Sequence, residues 1–315
     1  MQHNDTKQPK VYHILDYVAV LRPTLLFPVW TLLLLGYHHG RIAQATPETH
    51  HPLHLWVTLC LYSLLMGAVY IVNQIADRET DAHNDKLYLV AQGYVKLQIL
   101  KWQVGLLVTL SILLSLFVFP ENPAYLILIL LSIGLGFAYS VRPVRLKGIP
   151  IADLCANAIG YGSIAFLVGW TTITPISVEA VCHSLPYLFS VAAAFVNTTL
   201  PDVKGDRIAG DNTTGVWLGK KQACLLSLVL LIAAIVSAAL FRDWIAGATS
   251  VVCLPVFIYM NFYPKQNVII WATRIGILML SLCASILFPF YLLWFGIVIL
   301  GTRWYYSFRF GIRYP

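Results

Sequence analysis

Charged residues are scarce in this chain, and their scarcity excludes most soluble folds. Only 11% of the 315 residues are charged, whereas 58% are hydrophobic. Mean hydropathy is +0.73, and long apolar runs recur along the whole sequence. Such runs are typical of transmembrane helices, while membrane barrels alternate apolar and polar residues. We therefore predict an all-α, polytopic membrane protein.

Cysteine motifs and a secretory signal are also lacking. The six cysteines are scattered, with no CxxC pair and no Cys/His pair at metal-ligand spacing, so we interpret them as packing residues. The first fourteen residues are polar and hold no short apolar segment with a cleavage site, so we expect no cleaved signal peptide. We treat residues 1–315 as one transmembrane domain, with residues 1–22 as a cytoplasmic tail and interfacial segment.

Hydropathy divides the chain into nine or ten membrane spans. The count depends on Pro289, which either separates the last two spans or kinks a single longer one. The predicted spans are 24–40, 54–76, 99–119, 123–140, 151–170, 181–200, 222–241, 244–262, 268–287 and 289–305.

Most basic residues fall on one side of these spans. With the N-terminus inside, the inner loops carry Arg78, Lys86, Lys96, Lys101, Arg142, Arg145, Lys147, Lys204, Arg207, Lys220, Lys221 and Lys265. Among the bases between spans, the outer side keeps only Arg41 and Arg242. This asymmetry predicts the orientation, because cytoplasmic loops are enriched in Lys and Arg. We interpret the net charge of +7 as this signal and expect no nucleic-acid partner.

Two polar motifs follow the second and sixth predicted spans. Asn73, Asp77 and Asp81 are four residues apart, so on a helix they form one stripe about 12 Å long. The matching positions 125 residues later are Thr198, Asp202 and Asp206. The repeat, residues 73–81 and 198–206, predicts two related halves around a shared cavity. The predicted orientation places both motifs on the cytoplasmic side.

The motifs concentrate the few acids of the chain. Seven of the fourteen lie in or beside them: Asp77, Glu79, Asp81, Asp85, Asp202, Asp206 and Asp211. Oxygen donors without nearby His or Cys suit a hard cation, and Mg²⁺ is usual where phosphate is also bound. Carboxylates that hold a metal among inner-loop bases suit a diphosphate. The alternatives are a cytoplasmic salt-bridge network for the acids and a purely topological role for the bases.

These motifs resemble those of the UbiA superfamily of intramembrane prenyltransferases, and the resemblance covers most of the chain. The family pattern is Asn-x-x-x-Asp-x-x-x-Asp after the second span and Asp-x-x-x-Asp after the sixth, matched here by residues 73–81 and 202–206. The stretch Tyr139-Ser-Val-Arg-Pro-Val-Arg-Leu-Lys147 is similar to the family's tyrosine-led, base-rich loop after the fourth span. Arg22-Pro23 and the run that begins at Gly205 also look like family features.

The chain departs from the family pattern at two positions. Many members follow the first motif with Asn-Lys-Pro-x-Arg-Pro, but here Tyr88 stands at the arginine position, with Lys86 the nearest replacement. The family's Tyr-x-x-x-Lys would need a lysine at Pro143. The bases left to serve in its place are Arg142, Arg145 and Lys147.

The resemblance implies a helical bundle around a central lipid-accessible cavity. It implies Mg²⁺-dependent transfer of an isoprenyl group from a prenyl diphosphate to a lipophilic or aromatic acceptor within the membrane. The implied metal ligands are Asn73, Asp77, Asp81, Asp202 and Asp206. The implied diphosphate-binding residues are Lys86, Arg78, Arg142, Arg145, Lys147, Lys204, Arg207 and Arg22. Tyr139 would face the cation or the diphosphate, unless it is an interfacial belt tyrosine.

Asp153 and Asn157 are a further pair, four residues apart near the start of the fifth span, so they share a helix face. We predict that this face contacts the acceptor or takes its proton. Two alternatives remain open for the whole chain. A terpene cyclase of the same superfamily would act on the prenyl diphosphate alone, and a secondary transporter would place its acids near the bilayer midplane.

Overall fold

The computed structural model describes residues 12–44, 52–82, 89–312 and 314, and within these ranges the chain is helical without any strand. Short 3₁₀ turns cover Pro23–Leu25 and Leu146–Gly148, and a π-helical turn covers Ala158–Ile164. The helices are α1 (Ile14–Ala19), α2 (Leu26–Ala43), α3 (Pro52–Ala76), α4 (Arg78–Ala82), α5 (Leu97–Val118), α6 (Pro123–Ser140), α7 (Ala152–Asn157), α8 (Ala165–Thr171), α9 (Val178–Thr199), α10 (Val203–Ala209), α11 (Thr214–Leu240), α12 (Trp244–Phe262), α13 (Gln266–Leu287) and α14 (Pro289–Phe310).

Nine helical segments of the described chain are long and apolar enough to cross a membrane, which confirms the predicted all-α polytopic class. Most predicted spans start within three residues of the first residue of the matching helix. The seventh does not, because α11 begins at Thr214 rather than at residue 222. Gly219 explains the difference: its φ of 70° marks a kink that separates the first turn of α11 from the apolar part.

Pro289 separates two helices and does not merely kink one. Phe288 is extended (φ −131°, ψ 83°), and Pro289 opens α14 at a position where its missing N–H has no helical partner. α14 lies outside the nine apolar segments, yet it runs the height of the bundle. Its first residues pack near Tyr37, at 6.0 Å between the ring centroids of Phe288 and Tyr37. At its other end the Tyr305 hydroxyl donates to Asp16 of α1 over 2.8 Å.

Helices α2 and α8 are in backbone contact, and glycines make the contact possible. A Cβ on Gly36 would lie 1.9 Å from the carbonyl oxygen of Phe166, and one on Gly169 would lie 1.9 Å from that of Leu33. Both distances are far inside van der Waals contact. Small residues drive helix association in membranes because they let backbones approach closely. This packing therefore holds α2, the first span, closely against α8 in the fifth span.

The outer surface of the bundle is apolar. Trp102, Phe117, Leu240 and Ile286 are each more than 70% exposed, although they are large hydrophobic residues. Water would penalise such a surface, whereas lipid acyl chains accept it. The exposed side chains therefore agree with the spans inferred from hydropathy.

The long helices alternate in direction, so the bundle has two ends. The motif end carries the end of α3, the α6–α7 loop and the α9–α11 connection, which meet through side-chain contacts between residues 77, 145 and 211. The far end carries the end of α2 and the starts of α9 and α12, which meet near His39. At 1.5 Å per residue, α9 separates the two ends by about 30 Å.

Candidate active site

The first motif forms the predicted stripe. The Asp77 N–H donates to the carbonyl of Asn73 (2.9 Å) and the Asp81 N–H to that of Asp77 (2.8 Å), so the helical path continues from α3 into α4. Asp77 is buried, at 2% exposure. The Asn73 amide donates to Asp77 Oδ2 over 3.0 Å and to the Ser140 hydroxyl over 3.3 Å. Asn73 thus fixes the orientation of the Asp77 carboxylate.

Two bases of the α6–α7 loop form ion pairs with Asp77. Arg145 Nη2 lies 3.2 Å from Asp77 Oδ1, and Lys147 Nζ lies 2.5 Å from Asp77 Oδ2. Arg145 also forms a bidentate pair with Asp211, through Nε to Oδ1 at 3.1 Å and Nη2 to Oδ2 at 2.9 Å. A planar guanidinium suits this fork geometry, so Arg145 joins the first motif to the connection after the second.

Arg145 adopts a backbone conformation that non-glycine residues rarely use. Its φ of 37° and ψ of 61° lie in the left-handed region. Such a conformation costs about 1–2 kcal/mol and persists only where surrounding contacts impose it. Here the contacts are the two carboxylates, Asp77 and Asp211, that hold the guanidinium.

The second motif lies beside the same loop. Asp206 is half-buried in α10, and its Oδ2 accepts a hydrogen bond from Thr213 over 3.2 Å. Burial raises the pKa of Asp206 to about 6, against the opposing charge of Lys147, and the charges of Asp202 and Asp211 add to the rise. Lys147 therefore lies within electrostatic range of both motifs.

Asp211 is the residue that the sequence did not assign. The left-handed Gly210 (φ 78°) ends α10, and the Asp211 N–H then donates to the Asp206 carbonyl over 2.9 Å. Gly148 lies close to Asp211, since a Cβ there would be 3.1 Å from Asp211 Oδ1. The available signal was the position of Asp211 five residues after Asp206, directly behind a glycine.

The donor set fits Mg²⁺. Both motifs offer carboxylate and amide oxygens, which are the ligands that a hard cation prefers. Burial is the main cause of the raised pKa of Asp206, and a cation bound beside it would favour the charged carboxylate. Asp77 is neutralised by Arg145 and Lys147, and the long flexible side chain of Lys147 can move aside. The salt-bridge network considered as an alternative is thus present, and it shares Asp77 with the proposed metal site.

Tyr139 and Asn157 lie close together in the bundle. The Tyr139 hydroxyl interacts with the Asn157 side chain, and the Asn157 amide donates to the carbonyl of Asp153 over 3.0 Å. Nearby, the π-helical turn carries Tyr161, whose hydroxyl donates to that of Tyr70 over 3.1 Å. π-Helical turns often accompany functional sites, because they re-aim side chains within a helix.

The geometry argues against the acceptor role predicted for Asp153. Its carboxylate is fully buried and accepts from the Thr214 N–H (2.8 Å), the Thr214 hydroxyl and the Leu154 N–H (2.7 Å). Asp153 therefore holds the first turn of α11 against α7. A shared helix face could not reveal this, because the partner lies 61 residues away.

The remaining bases predicted to bind the diphosphate differ in the exposure of their side chains. Arg22 lines a cavity of about 610 Å³ together with Gln74, Trp304 and Tyr306. Lys86 lies outside the described residues. Four bases have exposed side chains and contact neither motif through any described ion pair, so their roles stay predictions: Arg78, Arg142, Lys204 and Arg207. Asp202 is exposed, whereas Asp81 is half-buried.

Comparison with known proteins places these features in a family. The model of the UbiA prenyltransferase family matches residues 29–267. Bacteriochlorophyll synthase 34 kDa chain from Chloroflexus aurantiacus is 28% identical over 160 residues, which cover 51% of each chain. Digeranylgeranylglyceryl phosphate synthase from Methanothrix thermoacetophila is 30% identical over 176 residues, covering 55% of this chain and 62% of the relative. The matched regions thus span only about half to two thirds of these relatives.

The fold is shared with solved structures. A UbiA homologue from Archaeoglobus fulgidus, solved with GPP and Mg²⁺ bound, superposes with a TM-score of 0.65. It is 19% identical, and the match covers 84% of this chain and 97% of the homologue. The helical arrangement described above is therefore that of a known membrane bundle.

Proposed function

The chain belongs to the UbiA prenyltransferase family, and we propose that it transfers an isoprenyl group from a prenyl diphosphate to a lipophilic or aromatic acceptor inside the membrane. The observation that carries the proposal is the meeting of both motifs at one base-bearing loop. Lys147 pairs with Asp77 and acts electrostatically on Asp206. An allylic diphosphate needs this combination, because metal-binding carboxylates and bases must reach the same phosphates.

We propose that Asn73, Asp77, Asp81, Asp202 and Asp206 hold Mg²⁺; a homologue of the same fold was solved with GPP and Mg²⁺ bound. Bound Mg²⁺ supplies Lewis acidity to the diphosphate oxygens. If Mg²⁺ neutralised Asp77, Lys147 would be free to donate to the phosphates, while Arg145 would keep its pair with Asp211 as an anchor. The loop would then exchange an internal ion pair for contacts with the substrate.

The chemistry requires one bond to break and one to form. The allylic C–O bond breaks and its electron pair leaves with the diphosphate, whose growing charge Lys147 would stabilise. The allylic carbon then bonds to an electron-rich atom of the acceptor, which releases a proton. Water must be excluded from this cation, since it would give a prenyl alcohol. The apolar helices around the motif end supply that exclusion.

The cavity lined by Arg22 lies near the motifs and is large enough for an organic substrate. Its volume of about 610 Å³ lies within the usual range of ligand pockets, roughly 300–1,000 Å³. Gln74 lines it one turn before Asp77, and three aromatic residues of α14 supply apolar walls. We propose that this cavity receives the prenyl chain or the acceptor, with Arg22 at its polar end.

One experiment separates this function from its alternatives. Purified protein is incubated with radiolabelled prenyl diphosphates of increasing length, with and without Mg²⁺, and then with a membrane lipid extract. Mg²⁺-dependent diphosphate release with label in a lipophilic product only after extract is added is the expected result. Label in hydrocarbon or terpene alcohol from the donor alone would indicate a cyclase. Metal-independent substrate flux in proteoliposomes, without turnover, would indicate a transporter.

We also propose that the motif end faces the cytoplasm. The proposal rests on the inner-loop bases, since the positive-inside rule gives the side of short loops. The described structure supports it through the exposed side chains of Arg142, Lys204 and Arg207, which all lie at the motif end.

A further inference from the structure

Two histidines and an aspartate meet at the far end of the bundle, about 30 Å from the aspartate motifs. His39 lies in the last turns of α2, His183 in the second turn of α9, and Asp243 is the N-cap of α12. One nitrogen or oxygen atom from each residue lies within 4.8 Å of those from the other two. Three separate helices thus deliver metal-ligand side chains to one point.

The three side chains are oriented toward one another. His39 Nε2 lies 3.2 Å from Asp243 Oδ2, and the His39 and His183 ring centroids are 5.1 Å apart. Asp243 Oδ1 accepts the Ala246 N–H over 2.9 Å, so one oxygen caps α12 while the other faces the histidines. The Tyr187 hydroxyl lies 3.3 Å from His39 Nε2.

Two atoms of the cluster lack a hydrogen-bond partner although they are buried. They are His183 Nδ1 and Asp243 Oδ2. The His39 contact reaches Asp243 Oδ2 at ion-pair distance but without hydrogen-bond geometry. The Asp243 side chain is entirely buried. The neighbours of the Asp243 carboxylate are the His39 ring and the Tyr187 hydroxyl. Burying a carboxylate is costly, and a divalent cation bound among these side chains would offset that cost.

We propose that His39, His183 and Asp243 form a second metal site, for a first-row divalent transition metal such as Zn²⁺. Two imidazole nitrogens and one carboxylate are an established donor set for such metals, with the remaining position left to water. Mg²⁺ prefers oxygen ligands, so the two ends of the bundle would select different metals. A metal at this point would fasten α2, α9 and α12 together.

The sequence offers a matched control for a test of this site. His38 is the neighbour of His39 and is half-buried, but it is not part of the cluster. His38→Ala therefore removes an imidazole from the same turn and leaves the three ligands in place. His183→Ala removes one ligand while the contact between His39 and Asp243 and the cap on Ala246 can persist.

The test measures Zn²⁺ binding to full-length protein in detergent. The protein carries a tag without histidines, is stripped with a chelator and then receives excess Mg²⁺ to occupy the aspartate motifs. Bound zinc is counted by mass spectrometry after desalting. We expect one Zn²⁺ per chain in the wild type and in His38→Ala, and affinity about 100-fold weaker or worse in His183→Ala, because even outer-shell changes cost 10–100-fold.

A second measurement needs no variant. Co²⁺ added to the Mg²⁺-loaded wild type should give a visible d–d band that Zn²⁺ abolishes. Equal zinc binding by the wild type and His183→Ala would overturn the proposal. So would the absence of both bound zinc and the Co²⁺ band in folded wild-type protein, which would leave Asp243 as a helix cap and the ion-pair partner of His39.

Discussion

Lys147 and Asp77, 70 residues apart, form the tightest described ion pair at the motif end, at 2.5 Å between Nζ and Oδ2. The pair places a base on the carboxylate that the first motif would offer to a metal. Side chains that neutralise each other in the free protein can separate when a divalent cation and a diphosphate arrive. Substitutions at Asp77 and Lys147 test whether Lys147 leaves Asp77 for the diphosphate, and substitutions at Asp153 and Gly169 test the helix packing around the site.

Asp77→Asn should nearly abolish turnover without unfolding the protein. The amide keeps the size of the carboxylate but removes the charge that a metal needs, and Arg145 retains its bidentate pair with Asp211. We expect kcat to fall by about 10²–10³-fold, the range for removal of one key electrostatic group. Glu79→Gln, at an exposed acid of the same motif, is the control. Full Mg²⁺-dependent activity in Asp77→Asn would refute the metal-site assignment.

Lys147→Gln should weaken the use of the donor far more than Lys204→Gln. Lys147 is half-buried between the motifs, whereas Lys204 is exposed. We expect kcat/KM for the prenyl diphosphate to fall by about 10²-fold in the first variant, because a charge-assisted phosphate contact contributes about 2–3 kcal/mol. Steady-state kinetics at saturating Mg²⁺ measures it. Equal effects of the two substitutions would show that the lysines act only through overall charge.

Asp153→Asn should reduce stability and leave the chemistry intact. The carboxylate accepts three hydrogen bonds, and an amide nitrogen in its place would face the Thr214 donors. We expect a loss of about 1–3 kcal/mol, measured as a lower melting temperature in detergent, with kcat of the folded fraction within a few-fold of wild type. Thr214→Val should not add fully to this loss, since the two residues contact each other. Lost activity at unchanged stability would restore the acceptor role.

Gly169→Ala should destabilise the bundle, and Gly134→Ala should not. A methyl group at Gly169 would lie 1.9 Å from the Leu33 carbonyl oxygen, whereas nothing lies within 4 Å of one at Gly134. Overpacking of this kind costs about 1–3 kcal/mol or more. Thermal unfolding in detergent and yield from membranes compare the two variants. Similar melting temperatures would mean that α2 and α8 are less tightly packed than the structure indicates.

Cysteines introduced at the two ends of the bundle should react with an impermeant maleimide from opposite sides of the membrane. Arg142→Cys lies at the motif end and Glu121→Cys lies at the far end, and both positions are exposed. In a background without the native cysteines, an impermeant maleimide should reach residue 121 in intact cells and residue 142 only in inside-out vesicles. The reverse pattern would place the motifs on the outer face.

Several local features were predictable because neighbouring residues determine them. The helix from 123 to 140 and that from 244 to 262 were predicted to the residue, since apolar composition alone fixes where a chain leaves the membrane. The stripe of Asn73, Asp77 and Asp81 followed from helical spacing. The start of α11 was missed, because a left-handed glycine kink at Gly219 has no hydropathy signature.

Contacts between distant segments could not be predicted. A single sequence contains the bases of the α6–α7 loop but not which of them reaches Asp77, and the structure selects Arg145 and Lys147 from the implied set. It likewise turns the Asp153 carboxylate toward Thr214. Long-range packing decides both outcomes, since the partners come from different helices.

The sequence by itself determined the spans, the spacing of the motifs and the family resemblance, because hydrophobic length and helical periodicity are local properties. Only the tertiary structure decided that Asp211 joins the site and that Arg145 bridges the two halves. It alone decided that His39, His183 and Asp243 meet at the far end. Those residues share no spacing along the chain, and only the packing of α2, α9 and α12 brings them within reach of one ion.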